Sequence, residues 1–158
     1  MWTLPLILLC ENNGYCITQR DTDAVRASSI AARAAGYGLP GVVVDGTDPL
    51  AVEAAVAEAV ARARGGGGAS FVEARCERLT GHLVHDTQGY RPTEELDAAS
   101  RRDPIVLFGE RLNGDGVLSA QALAAMKQEI DAEVASAVDW ARAQPWPAPH
   151  EAYEDLWA

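Results

Sequence analysis

At 158 residues, 48% of them hydrophobic and 23% charged, the chain is long enough for one domain whose core needs no disulfide or structural metal. A formal net charge of -10 at pH 7 excludes the basic footprint of a nucleic-acid binder or of a protein drawn to anionic membranes. Cys10, Cys16 and Cys76 are odd in number and lack zinc-type pairing, which fits a reduced, cytoplasmic protein.

Leu4 to Cys10 reads as one buried strand that runs into Glu11-Asn12-Asn13-Gly14-Tyr15. This polar cluster falls at the carboxyl end of the strand, the edge where open parallel sheets bind ligands. Asn amides and a carbonyl released by Gly14 supply neutral oxygens suited to Mg²⁺ holding a phosphorylated cofactor. The same five residues also read as an ordinary turn, because Asn-Gly is a favoured turn pair. No basic segment precedes the apolar run, and it is far shorter than the roughly 20 residues of a membrane-spanning helix, so neither signal peptide nor anchor is expected. Met1 stands so close to the strand that the chain reads as starting within a domain.

Ser28-Ser29 lead a short helix, Ile30 to Tyr37, stopped by Gly38 and Pro40. Val42-Val43-Val44 is a second core strand ended by Asp45-Gly46. Asp48-Pro49 opens a helix in which Val52, Val56, Val60 and Ala63 make one apolar stripe, with Glu53, Glu58, Arg62 and Arg64 elsewhere. Gly65 to Gly68 ends it, and Ser70 to Cys76 is a third strand, so the alternation predicts α/β architecture. The four glycines are not a nucleotide loop, since a helix precedes them, a strand follows and no Lys is present.

Thr80 to Pro92 is polar and irregular and carries His82 and His85 on the same sheet edge as Asn13. A histidine there can move a proton near neutral pH, with Asp86 or another acceptor fixing its tautomer, or both can be solvated loop residues. No zinc pattern involves them, and no Gly-x-Ser-x-Gly elbow occurs. Helices then begin at Thr93-Glu94-Glu95-Leu96 and Asp103-Pro104-Ile105. Ser119 caps a long helix with a stripe of Leu123, Met126, Ile130, Val134, Ala137, Val138 and Ala141, ended by Pro145. Trp146, Tyr153 and Trp157 in the tail suit either a subunit interface or the chain's own core. The division expected is residues 1–92, a partial α/β domain with the histidine loop, and residues 93–158, a helical carboxyl-terminal region and tail.

Leu4-Pro5 to Tyr15, Arg33 to Val42, Val44 to Asp48, Glu73-Ala74-Arg75 and Gly81-His82 with Tyr90-Arg91 together resemble one family, in order and spacing over nearly the whole chain. It is the alpha subunit of the thiamine-diphosphate-dependent decarboxylating component of 2-oxo acid dehydrogenase complexes, which includes the pyruvate, branched-chain 2-oxo acid and acetoin dehydrogenases. The resemblance implies the carboxyl-terminal part of a thiamine-diphosphate-binding parallel-sheet domain followed by a helical tail. It implies thiamine diphosphate held through Mg²⁺, shared with a beta subunit in an assembly of two alpha and two beta chains, and acyl transfer to a lipoyl-bearing acyltransferase.

By the same resemblance the Asn13 side chain and the Tyr15 carbonyl are metal ligands, and the Ile17 backbone lines the cofactor pocket. His82 lies beside the thiazolium for proton and acyl transfer, and Arg78 and Arg91 anchor its loop by salt bridges. Leu83 stands where many members carry a phosphorylated Ser, so that regulation is not expected, and the Asp86, Gln88 and Tyr90-Arg91 spacing leans toward the acetoin-cleaving branch. The family's Gly-Asp-Gly, with an Asp ligand to Mg²⁺, precedes the Asn pair, whereas Gly114-Asp115-Gly116 follows it between helices and reads as a turn. A truncated coding sequence, a split gene or a retained domain fragment would each leave a chain inactive in isolation. The alternative function is then a catalytically inactive assembly or binding module.

Overall fold

The computed structural model describes residues 2–154. In chain order the first elements are β1 (Ile7–Asn12), a small antiparallel hairpin of β2 (Tyr15–Cys16) and β3 (Gln19–Arg20), and a single turn, α1 (Asp21–Ala24). A 3₁₀ segment (Ala31–Tyr37), β4 (Gly41–Asp45), α2 (Pro49–Arg64) and β5 (Ser70–Arg75) follow. After a long loop come α3 (Thr93–Ser100), α4 (Pro104–Gly114), α5 (Ala120–Ala143) and a second 3₁₀ segment (Pro149–Tyr153). The chain divides into two compact units within α4, between Arg111 and Leu112.

The first unit is α/β. Its sheet has the order β1-β5-β4 and is wholly parallel, with Asn12 opposite Arg75 and Asp45 opposite Arg75 on the other side. Three carboxyl ends therefore finish level at one edge. The central strand holds the core: Val72 and Ala74 are buried, and between them lies the fully buried Glu73. β1 begins at Ile7 rather than Leu4. Pro5 has no N–H to give a ladder, and the Leu6 N–H turns back onto the Leu4 carbonyl at 2.8 Å.

Two strands expected to be buried are not. Leu9 is 51% exposed and Val42 43% exposed. Apolar residues on both sides of a strand are the pattern of a parallel sheet covered on both faces. Here the helical segments pack on β4 and β5 and least on β1, and β1 and β4 are the flanking strands, each keeping apolar residues uncovered. The Ile30–Tyr37 helix is 3₁₀ rather than α, and it packs so tightly that a Cβ at Gly41 would lie 2.4 Å from the Ala31 carbonyl oxygen. Only glycine lets β4 start there. In α2 the expected stripe faces inward, with Ala59 buried among half-buried Val52, Val56, Val60 and Ala63, and Asp48 Oδ1 caps it by accepting from the N–H groups of Leu50 (3.0 Å) and Ala51 (3.4 Å).

The second unit is helical. Ser119 Oγ accepts from the Ala122 N–H at 3.1 Å to cap α5, which ends before Pro145. Its apolar stripe stays open, Ile130 and Val134 among the exposed residues, as are Trp146 and Tyr153; Trp157 lies outside the described residues. Gly114-Asp115-Gly116 closes α4 as a turn, with the Gly116 N–H on the Asn113 carbonyl at 3.1 Å. Among the described residues no helix is long and apolar enough to cross a membrane.

Loss of the α2 cap in Asp48→Ala is expected to cost about 1 kcal/mol, seen as a lower urea midpoint with an unchanged slope. The long ion pair from Asp48 to Arg111, 3.6 Å and half exposed, adds little to that figure.

Candidate functional site

The loops that follow β1 and β5 meet beside the level carboxyl edge because the two strands are neighbours. After β1 the chain makes two successive Asx turns. Asn12 Oδ1 accepts from the Gly14 N–H at 2.9 Å, and Asn13 Oδ1 accepts from the Tyr15 N–H at 3.1 Å. Gly14 has φ +79°, a left-handed conformation that glycine adopts without a Cβ clash. The turn pair read from the sequence is thus present. It also fixes the direction in which two neutral oxygens, Asn13 Oδ1 and the Tyr15 carbonyl, are presented.

Beneath the turns lies Glu73. Its Oε1 accepts from Asn12 Nδ2 at 2.9 Å and from Arg75 Nε at 3.3 Å, and its Oε2 accepts from the Ala31 N–H at 2.7 Å. Burial pushes the Glu73 carboxyl upward, but the Ala31 N–H, the Asn12 amide and the Arg75 guanidinium together hold it below the usual carboxylate range. Asn12 Nδ2 has a second acceptor in Asp21 Oδ2 at 3.0 Å.

Tyr15 is the centre of a second cluster. Its ring is faced by the guanidiniums of Arg20, Arg78 and Arg91 at 5.2–5.3 Å from the centroid, and its hydroxyl donates to Glu95 Oε1 at 2.6 Å. Glu95 also pairs with Arg20 and, at 3.0 Å, with Arg91. The Tyr15 hydroxyl and the two guanidiniums hold the Glu95 carboxyl low, against the effect of partial burial. Arg78 donates to the carbonyls of both Ile17 and Tyr15 (the latter 3.1 Å) and to the Tyr90 hydroxyl at 3.1 Å. Arg91 donates to the Arg78 carbonyl at 2.8 Å. Arg91 therefore anchors the histidine loop partly by an ion pair, as expected, while Arg78 does so by hydrogen bonds to carbonyls.

His82 lies on that loop, exposed. Asp86 does not orient its ring. The Asp86 carboxylate accepts instead from the backbone N–H groups of Gln88 and His82, both at 2.8 Å, and from the Tyr90 hydroxyl at 2.8 Å. Asp86 braces the loop backbone. These bonds, the Gln88 N–H first, hold its carboxyl below the usual range.

Ile17 has φ +55° and opens the two-residue loop between the paired Cys16 and Gln19. A β-branched residue in the left-handed region is strained, by roughly 1–3 kcal/mol, and such strain concentrates at functional sites. A cleft of about 480 Å³ is walled by Asn12, Asn13, Tyr15, Arg20, Arg75 and Glu95 among others. It brings Asn13 and Tyr15 together; Ile17 and His82 are not in its wall. The structure thus adds Glu73, Arg20 and Glu95 to the residues singled out in the sequence. Of these, Glu73 lay in the Glu73-Ala74-Arg75 stretch that contributes to the resemblance and Glu95 in a helix start, neither marked by the sequence as a site residue.

The donor set can be tested against a cation. Asn13 Oδ1 and the Tyr15 carbonyl each spend one lone pair, on an N–H of Tyr15 and of Arg78 respectively, and keep another. Such neutral hard oxygens fit Mg²⁺. Among the described residues no group of three or more His, Cys, Asp or Glu side chains forms a metal cage. The set therefore fits part of a coordination shell for a hard cation.

The family model described as "Dehydrogenase E1 component" matches residues 1–150. The chain is 39% identical over 158 residues to the alpha subunit of acetoin:2,6-dichlorophenolindophenol oxidoreductase of Cupriavidus necator, covering 99% of this chain and 47% of that protein. It is 41% identical over 156 residues to the alpha subunit of 2-oxoisovalerate dehydrogenase of Bacillus subtilis (98% and 47%). It is 34% identical over 157 residues to the alpha subunit of the pyruvate dehydrogenase E1 component of Zymomonas mobilis (99% and 44%). The chain spans about half the length of the curated relatives it matches.

Two predictions follow from this geometry. Ile17→Gly relieves strain at the hairpin and raises stability by about 1 kcal/mol after the entropy of the added glycine is subtracted, measurable by urea unfolding. For Asp86 the folded pKa is depressed, so its bracing is fully present above the unfolded value and is lost as pH falls through the folded one. Hydrogen-exchange protection of the Gln88 and His82 amides is expected to hold from neutral pH down through the ordinary carboxylate range and to be lost, after correction for intrinsic rates, only at more acid pH than that. In Asp86→Asn that acid transition disappears.

Proposed function

Given that this chain belongs to the dehydrogenase E1 component family, we propose that it supplies the metal-holding and proton-moving residues of the alpha subunit of a thiamine-diphosphate-dependent 2-oxo acid or acetoin dehydrogenase. The observation that supports the reading is the double Asx turn after β1 at the carboxyl edge of a parallel sheet, with Asn13 and Tyr15 in the wall of one cleft. In this reading those two oxygens hold Mg²⁺, and the Ile17 backbone lines the pocket. Arg78 holds the carbonyls of Tyr15 and Ile17 in place from behind.

Thiamine diphosphate, when bound, supplies the electron sink that lets a carbon–carbon bond beside a carbonyl break. What this chain's residues add is position and protons. An imidazole nitrogen of His82 gives or takes the proton on the substrate oxygen. Its backbone is braced through Asp86 while its ring is left open to solvent, so the group can reach a substrate without losing its place. The partners proposed are a beta subunit, in an assembly of two alpha and two beta chains, and a lipoyl-bearing acyltransferase that receives the acyl group. The free state of Cys10, Cys16 and Cys76 supports a cytoplasmic setting. Spacing in the histidine loop favours the acetoin branch.

The exposed stripe of α5 and the open faces of β1 and β4 also support the second reading, an assembly or binding module without chemistry. Calorimetry separates the two. With the beta subunit present, saturable binding of thiamine diphosphate with Mg²⁺ is expected, weakened about tenfold or more in Asn13→Ala. His82→Ala is expected to keep binding and assembly and to lose turnover by about 10²- to 10⁴-fold. Assembly with no cofactor binding leaves the module reading standing.

A further inference from the structure

We propose that Glu73 is a positioning residue for the cation-holding turn and acts on it through Asn12; the inference rests on the cofactor reading of Asn13. Glu73 does not belong to the cleft wall, whereas Asn12 and Asn13 do, so it reaches a ligand only through a neighbour. That neighbour is held in one orientation. Asn12 Nδ2 faces two carboxylate acceptors, Glu73 Oε1 and Asp21 Oδ2, and this turns Asn12 Oδ1 to the Gly14 N–H. The amide cannot flip without setting its oxygen against two carboxylates and its NH₂ against an N–H donor. The bond to Gly14 fixes the left-handed residue after which Tyr15 can reach back to Asn13 Oδ1. Through its other oxygen Glu73 grips the Ala31 N–H, which ties the turn to the 3₁₀ segment under the cleft. A side chain with no exposed surface thus sets the direction of an oxygen on a cleft-wall residue.

The discriminating change is Glu73→Gln, which keeps the shape. Glutamine has one acceptor oxygen where Glu73 uses two, so its NH₂ must oppose either the Ala31 N–H or the Asn12 NH₂. The test reads Mn²⁺, a paramagnetic stand-in for Mg²⁺, by the electron-spin resonance of the free ion, in the alpha–beta assembly with thiamine diphosphate and well below the thermal midpoint of every variant. Glu73→Gln and Asn12→Ala are each expected to weaken Mn²⁺ binding about tenfold or more. The double variant is expected to be no weaker than the poorer single one, because both break one link. An affinity within about twofold of the parent in Glu73→Gln, with or without a lower thermal midpoint, while Asn13→Ala weakens binding, overturns the proposal and leaves the cofactor reading intact. Unchanged affinity in Asn13→Ala defeats that reading and the proposal with it. If Glu73→Gln does not fold, Asn12→Ala decides alone: weakened binding supports the link and unchanged binding overturns it.

Discussion

One buried carboxylate organises the first unit. Glu73 sits in the middle of the central strand with no exposed surface, and a charge there is tolerable only because three donors converge on it. They come from the end of β1, from the start of the 3₁₀ segment and from β5 itself. Without the carboxylate the Ala31 N–H would lose its acceptor, while Asn12 would keep Asp21 and Arg75 the Ser28 carbonyl; a buried charge that loses a partner costs about 3–5 kcal/mol. The sheet, the 3₁₀ segment and the Asx turns are therefore mutually dependent. An apolar residue at this position would offer the turns no acceptor and would leave them undetermined.

Above this lies a layer of charge whose sign runs against the composition. The chain carries a net charge of -10, yet three guanidiniums surround Tyr15. Glu95 answers two of them, and Arg78 is spent on carbonyls. Net charge governs long-range encounter and solubility, while the field at a site is set by the few groups within several ångströms. An acidic protein can thus gather several guanidiniums around one ring next to neutral oxygen donors.

Much of this was legible in the residues. The strand and helix order, the Asp48 and Ser119 caps, the inward stripe of α2 and the Gly114-Asp115-Gly116 turn follow from periodicity and from local hydrogen-bond chemistry, which act over a few residues. What was not legible depends on contacts far apart in sequence. Asp86 looked like a partner for the His82 ring and is a brace for the backbone, because the Tyr90 hydroxyl and two N–H groups converge on it. The link from Glu73 to Asn12 spans strands distant in the chain, and the strain at Ile17 comes from a hairpin too short to show in any pattern. Exposure of Leu9 and Val42 was misread for a similar reason: apolar runs report that a strand is to be covered, and do not say by which chain.

The level ends of β1, β5 and β4 have a geometric consequence for assembly. Among the described residues no strand pairs with the outer side of β1, so that side presents an unpaired backbone ladder. A strand joining it in parallel would bring its own carboxyl-terminal loop alongside Asn13, whereas one joining antiparallel would bring its amino end. The direction of pairing alone decides which end of an incoming segment is delivered to the cleft. At the edge of β1, strand polarity therefore sets what reaches the cleft before any side chain makes contact.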